Sequence, residues 1–136
     1  RMAVLQRFSP ELLADALLKI NQDSGFASPR PEEIPGLIGA APQQVDRLLG
    51  FLCDEGRLIR LNKNVVLCYN HFKTAQDKAV EIILAQGVLD SADFKVHIGS
   101  TRKYALAILD YLDARRVTVR FGNNRKLAAQ YREHLL

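Results

Sequence analysis

The chain repeats itself. At an offset of 60 residues, Leu48-Leu49-Gly50-Phe51-Leu52 aligns with Ile108-Leu109-Asp110-Tyr111-Leu112, and Ile59-Arg60-Leu61 aligns with Val119-Arg120-Phe121. An Asn-bearing turn follows each time, Asn62-Lys63-Asn64 and Gly122-Asn123-Asn124. A fixed internal period constrains a fold more than any single motif, because one small plan must then be built twice. Within 136 residues that leaves room for two small units, expected at 1–69 and 70–136, and little room for a multi-domain enzyme.

The plan can be read off the first copy. Ser9, Pro10 and Glu11 supply the N-cap, first-turn proline and acidic residue of a helix start. Leu12, Leu13, Ala16, Leu17 and Ile20 then recur at helical spacing until Gly25. A short helix is expected from about Glu32 to Ile38, with Pro35 tolerated only in its first turn and Gly39 as its stop. A third starts near Pro42, buries Val45, Leu48, Leu49 and Leu52, and ends around Glu55-Gly56. Two strands, about 57–61 and 65–68, close the copy through a tight turn.

The second copy predicts a helix from about Phe72 to Gln86 with Ala75, Ala79, Ile82 and Ile83 inward. A short element around Gly87 to Leu89 follows, then a helix from about Ser91 to His97, a third after Ser100 or Thr101, and strands at 117–121 and 125–128. The class is mainly α with small β wings: two tandem winged helix-turn-helix units.

Composition narrows the function. At 48% hydrophobic and 25% charged the chain is an ordinary globular one. No run of 18 apolar residues occurs, and Arg1 to Arg7 is too short and mixed for a secretory signal, so a cytoplasmic location without membrane contact is expected. Arg1 before Met2 suggests a piece of a longer protein. Cys53 and Cys68 are too few for a disulfide scaffold and read as reduced thiols, Cys53 on a buried helix. The net charge is +4. Residues 1–86 hold 10 Lys/Arg against 10 Asp/Glu, whereas 87–136 hold 9 against 5, so the whole excess belongs to the second copy.

Two basic clusters carry that excess. In Gly99-Ser100-Thr101-Arg102-Lys103-Tyr104 the cations stand where a helix N-terminus already presents open N–H groups, a placement that either wastes a little energy in water or receives an anion. In the wing, alternation puts Val117, Val119 and Phe121 on one face and Thr118 with Arg120 on the other, with Arg120, Arg125 and Lys126 expected to cluster at the tip beside Asn123 and Asn124. The first copy has only Arg60 and Lys63 there. Tyr104 either stacks on an unstacked base or packs between helices. Phe121, aligned with Leu61, is expected in the core, and His97 is a candidate contact beside the turn or a helix-end histidine bonded to backbone.

The helix after Lys103 offers no further base, which favours gripping a backbone or a protruding loop over reading a long duplex. Enzyme signatures are missing: there is no phosphate-cradling Gly-rich loop with its Lys, no His-Glu-x-x-His and no nucleophile elbow, and Cys53, Cys68 and His71 lack a fourth zinc ligand. No catalytic residue, metal or cofactor is therefore expected in this fragment. A duplex-DNA regulator and a protein-interaction module stand as alternatives to an RNA-binding module.

The basic turn, the apolar helix to Tyr111-Leu112-Asp113 and the basic wing, set within tandem winged helices, resemble the C-terminal mRNA-binding part of the bacterial selenocysteine-specific elongation factors (SelB), over roughly Phe8 to Leu127. Leu48 to Leu52 through Glu55-Gly56-Arg57-Leu58 looks like the preceding winged helix of that family. The resemblance implies a last winged helix that grips the apical loop of the SECIS hairpin in selenoprotein mRNA, so that selenocysteinyl-tRNA is delivered at UGA. It also implies a GTP-binding parent whose GTPase and tRNA-binding domains lie upstream. By position, Ser100, Thr101, Arg102, Lys103 and Tyr104 would meet phosphates and an extruded base, and Arg120, Asn123, Asn124, Arg125 and Lys126 the opposite strand. A monomer is expected, with the ribosome as a further candidate partner. The tail from Ala128 to Leu136 departs from the family pattern and suggests a short extra helix.

Overall fold

The computed structural model describes residues 10–136, so Ser9 lies outside the described residues. The chain divides into two compact units, Arg1–Tyr69 and Asn70–Leu136.

In the first unit, α1 (Pro10–Asp23) is followed by a 3-10 turn at Pro31–Glu33, α2 (Ile34–Ile38), α3 (Pro42–Asp54), and the antiparallel strands β1 (Leu58–Asn62) and β2 (Val65–Cys68). Pro35 is accommodated because it falls in the first turn of α2, where its missing N–H costs nothing. Val45, Leu49 and Leu52 recur at helical spacing along α3 and are buried against Leu17, Ile34, Leu58 and Val66. Truncating a side chain such as Leu49, fully buried, to alanine would cost about 2–5 kcal/mol.

The second unit begins with α4 (Tyr69–Gln86), which opens three residues earlier than the periodicity suggests, directly after β2. Its inner face carries Phe72, Ala75, Ala79, Ile82 and Ile83, and the Phe72 ring meets Tyr111 edge-on with centroids 5.4 Å apart. Then come β3 (Leu89–Asp90), α5 (Ser91–His97), α6 (Arg102–Ala114), β4 (Thr118–Phe121) and β5 (Asn124–Leu127). The short element at Leu89 is a real strand: it pairs with β5, giving a sheet of order β3-β5-β4. Gly39 and Gly99 occupy matched positions after the second helix of each unit and share a left-handed backbone, with φ +69° and +64°. Glycine is the residue that enters that region at no steric cost.

The tail makes a 3-10 turn, Tyr131–His134, and is tied down at its last residues. Buried Gln76 donates from Nε2 to the Leu136 carbonyl and accepts the Leu136 N–H at its Oε1, both at 3.1 Å, while the Arg115 guanidinium donates to the His134 carbonyl at 3.0 Å.

The second wing lies the other way up from the expectation. Strand register pairs Thr118 with Leu127 and Arg120 with Arg125, so these four share one face, while Val119, Phe121, Asn124 and Lys126 share the other. The polar face is the one turned in. Thr118 and Arg125 are buried, whereas Val119 and Phe121 are 41% and 57% exposed. Phe121 is thus a surface residue and not core, and of the apolar set only Val117, just ahead of β4, is buried.

The cause is on α6, which carries Asp110 and Asp113 one turn apart. Asp113 accepts from Thr118 Oγ1 at 2.5 Å and from Arg125 Nε at 3.1 Å, and Asp110 accepts from Arg125 Nη2 at 3.0 Å. Asp113, only 23% exposed beneath the hairpin, needs the donors that Thr118 and Arg125 supply, and Asp110, 62% exposed, adds a second carboxylate for the buried guanidinium.

Candidate nucleic-acid interface

The start of α6 is left open to solvent. Its N-cap, Thr101, has extended backbone but makes no side-chain capping bond, and no acidic residue stands in the first turn. The helix dipole therefore meets no negative side chain at this end, and an anion is the favoured ligand there. Arg102 and Lys103 project from this turn and are exposed. Lys103 lays its ammonium over the half-buried Tyr104 ring, 5.2 Å from the centroid.

Beside this turn the second unit holds a cleft of about 310 Å³ whose walls come from β3, α5, α6 and the wing. Three cations converge on it from three elements: Lys95 of α5, Arg102 of α6 and Arg120 of β4. Asn123 closes the wing side. The Asn123 carbonyl accepts from both the Ser91 N–H, at 2.9 Å, and the Ser91 hydroxyl, at 2.8 Å, which locks the turn of the wing to the start of α5. Arg120 is itself steadied by donating from Nε to the Gly122 carbonyl at 2.8 Å. Asp90 spends its carboxylate on capping α5 through the Ala92 N–H at 2.7 Å. Such an arrangement suits an anionic backbone, with fixed N–H donors and several guanidinium and ammonium groups at the mouth of one groove.

The expected site is thus assembled only in part. Arg102, Arg120 and Asn123 meet in the cleft; Ser100, Thr101, Lys103, Tyr104 and His97 lie outside its walls. Asn124 pairs with Asp90 of β3 and Phe121 of β4, and Lys126 stands on the outer face of the wing, its ammonium 5.5 Å from the Phe121 ring centroid. Arg125 is a correction. It is fully buried and engaged by two aspartates, so it cannot reach a phosphate from the wing tip. Lys95 was missed by sequence reasoning; its signal is its position one helical turn after Ser91, which puts it on the same side of α5 as the residue bonded to the wing.

The thiols offer no competing chemistry. Cys68 is buried and Cys53, which is half-buried and not fully so, has its thiol pushed above the ordinary value by burial. Among the described residues no group of three His, Cys, Asp or Glu side chains could hold a metal ion, and no helix is long and apolar enough to cross a membrane.

Known proteins align with this geometry. Residues 81–127 match the winged-helix family of elongation factor SelB. That stretch runs from within α4 to the end of β5 and contains the cleft, the basic turn and the wing. A selenocysteine-specific elongation factor from Desulfomicrobium baculatum is 27% identical over 93 residues, an alignment that takes in 65% of this chain and 14% of that protein. The mRNA-binding domain of E. coli SelB, solved in complex with SECIS RNA, superposes with a TM-score of 0.71 at 20% identity, covering 85% of this chain and 97% of that one. A bacterial selenocysteine-specific elongation factor, EF-Sec, superposes at 0.67 with 21% identity, covering 93% of this chain and 19% of that one. The tandem winged-helix fold is shared with the SelB structures.

Proposed function

We propose that this chain is the RNA-binding module of a selenocysteine-specific translation elongation factor, and that its second unit grips the apical loop of a SECIS-type mRNA hairpin. The observation that carries the reading is a coincidence in place: the segment matching the SelB winged-helix family is the one that builds the cationic cleft. Arg102, Lys95 and Arg120 hold phosphates across the groove, with the open first turn of α6 as a further donor. Asn123 and Tyr104 are set beside it for a splayed base. The chain itself performs no catalysis; GTP hydrolysis and tRNA carriage belong to other parts of the parent factor, and the module works in the cytoplasm as a monomer, without a cofactor.

Extended duplex DNA is the weaker fit. After Lys103, α6 displays Leu106 and Asp110 toward the cleft, and neither supplies the Arg, Lys, Asn or Gln donors that the commonest major-groove contacts use. A gel-shift series with the whole chain, using a stem-loop RNA, its opened strand and matched duplex DNA, tests the proposal. Tightest binding to the stem-loop is expected, with a log–log salt slope of about 3 for roughly four neutralised phosphates. Preference for duplex DNA in direct competition would overturn it.

A further inference from the structure

The cleft accounts for the inner edge of the wing and leaves its outer face unexplained. On that face Phe121 is 57% exposed and Val119 is 41% exposed, side by side on β4. The exposure follows from which face of the wing is turned in: buried Arg125, held by Asp110 and Asp113 and with its Nη1 left without a partner, keeps the apolar side outward. In the first unit Leu61, at the position matching Phe121, is half-buried and aliphatic.

We propose that Phe121 is a stacking platform for one unpaired base of the bound RNA. The inference rests on the RNA-binding reading above and adds to it a binding residue on the other side of the wing. Three observations favour a nucleobase. The apolar patch is only two side chains wide, far below the area that a specific protein interface buries, but comparable with one base. Its surroundings are cationic and amide-bearing, with Asn124 and Lys126 on the same face as the ring. Lys126 stands over the ring at 5.5 Å, so a phosphate next to a stacked base would find its counter-charge already in place. Bases unstacked in a hairpin loop are the ones that aromatic side chains capture, and a paired stem presents none.

The chain contains no tryptophan, so Phe121→Trp places a sole indole reporter on the wing. With the whole chain, its emission should be quenched by a stem-loop RNA that has a single-stranded apical loop, and far less by the same stem closed into continuous duplex. Phe121→Ala and Phe121→Leu should each weaken stem-loop binding by roughly tenfold while leaving the salt slope unchanged, because an aromatic face and no charge is lost. Both variants change an exposed side chain, and unaltered thermal unfolding would confirm that they fold. If the unaltered chain binds stem-loop RNA but the indole emission does not move and Phe121→Ala binds as tightly, stacking is overturned alone, as it would be if the ring served a protein partner. If the unaltered chain binds no stem-loop, the RNA reading and the stacking fall together.

Discussion

The two wings occupy matched positions and solve opposite problems. In the first unit the hairpin is an apolar lid: Leu58 and Val65 are buried, and Gly50 and Cys53 on α3 offer nothing charged beneath them. Sixty residues on, the same four positions read Asp110, Asp113, Thr118 and Arg125, and the lid becomes an ionic clasp. A clasp built on a buried arginine is seldom more stable than the aliphatic set it replaces. What it secures is orientation, since only the polar face of the hairpin can sit on two carboxylates. The difference teaches that a wing can keep the same positions turned inward while their chemistry passes from apolar to ionic, provided that the helix below changes with them.

The comparison can be broken most severely by mixing the two solutions. Val65→Arg puts a guanidinium into the first unit at a position 1% exposed with no carboxylate beneath, and should cost that unit about 3–5 kcal/mol, read as a lost or early transition in urea. Adding Gly50→Asp and Cys53→Asp should recover part of the loss; no recovery would mean the clasp is not a transferable set. Arg125→Ala in the second unit should cost about 3 kcal/mol, at the low end of that range because Asp110 is 62% exposed and keeps water, with hydrogen exchange of β4 and β5 rising first. An unfolding curve equal to the parent's would remove the orienting role of the clasp.

Smaller effects sharpen the functional side. Arg102→Ala and Arg120→Ala should each lower stem-loop affinity roughly tenfold at low salt and reduce the salt slope by about 1, whereas Arg60→Ala and Lys63→Ala in the first unit should change neither. Equal losses in both units would spread the interface over the whole chain. The smallest effect concerns backbone alone. Arg116 takes φ +66° where the first unit has Gly56 at +77°, so Arg116→Gly should stabilise the second unit by about 0.5–1 kcal/mol in thermal unfolding. A destabilisation would mean that the arginine side chain holds structure that the glycine cannot.

The helices were legible because each is marked twice, by apolar spacing and by its ends: Pro42 opens α3, Gly39 and Gly99 end the second helices, and Val45, Leu49 and Leu52 set the stripe. The wing was legible as a hairpin and illegible as to which side faces in. Alternation divides a strand into two faces but does not say which one meets the core; the usual assumption, apolar inward, sent Val119 and Phe121 to the wrong side and Arg125 to the tip. The corrective signal lay in the repeat itself, where Gly50, Cys53, Leu58 and Val65 all turn polar or charged together at the second copy. Lys95 was illegible for a different reason: its neighbour across the cleft, Arg120, is 25 residues away, and only the Ser91–Asn123 bonds bring their elements together.

The clasp also limits what can be exchanged between relatives. A hairpin moved alone from the second unit onto the first would carry a buried arginine to a helix with no acid to meet it, and a hairpin moved the other way would seat leucine and valine on two carboxylates. The smallest part that can be inherited, grafted or shuffled intact is therefore α6 together with β4 and β5, a helix and hairpin that must travel as one piece.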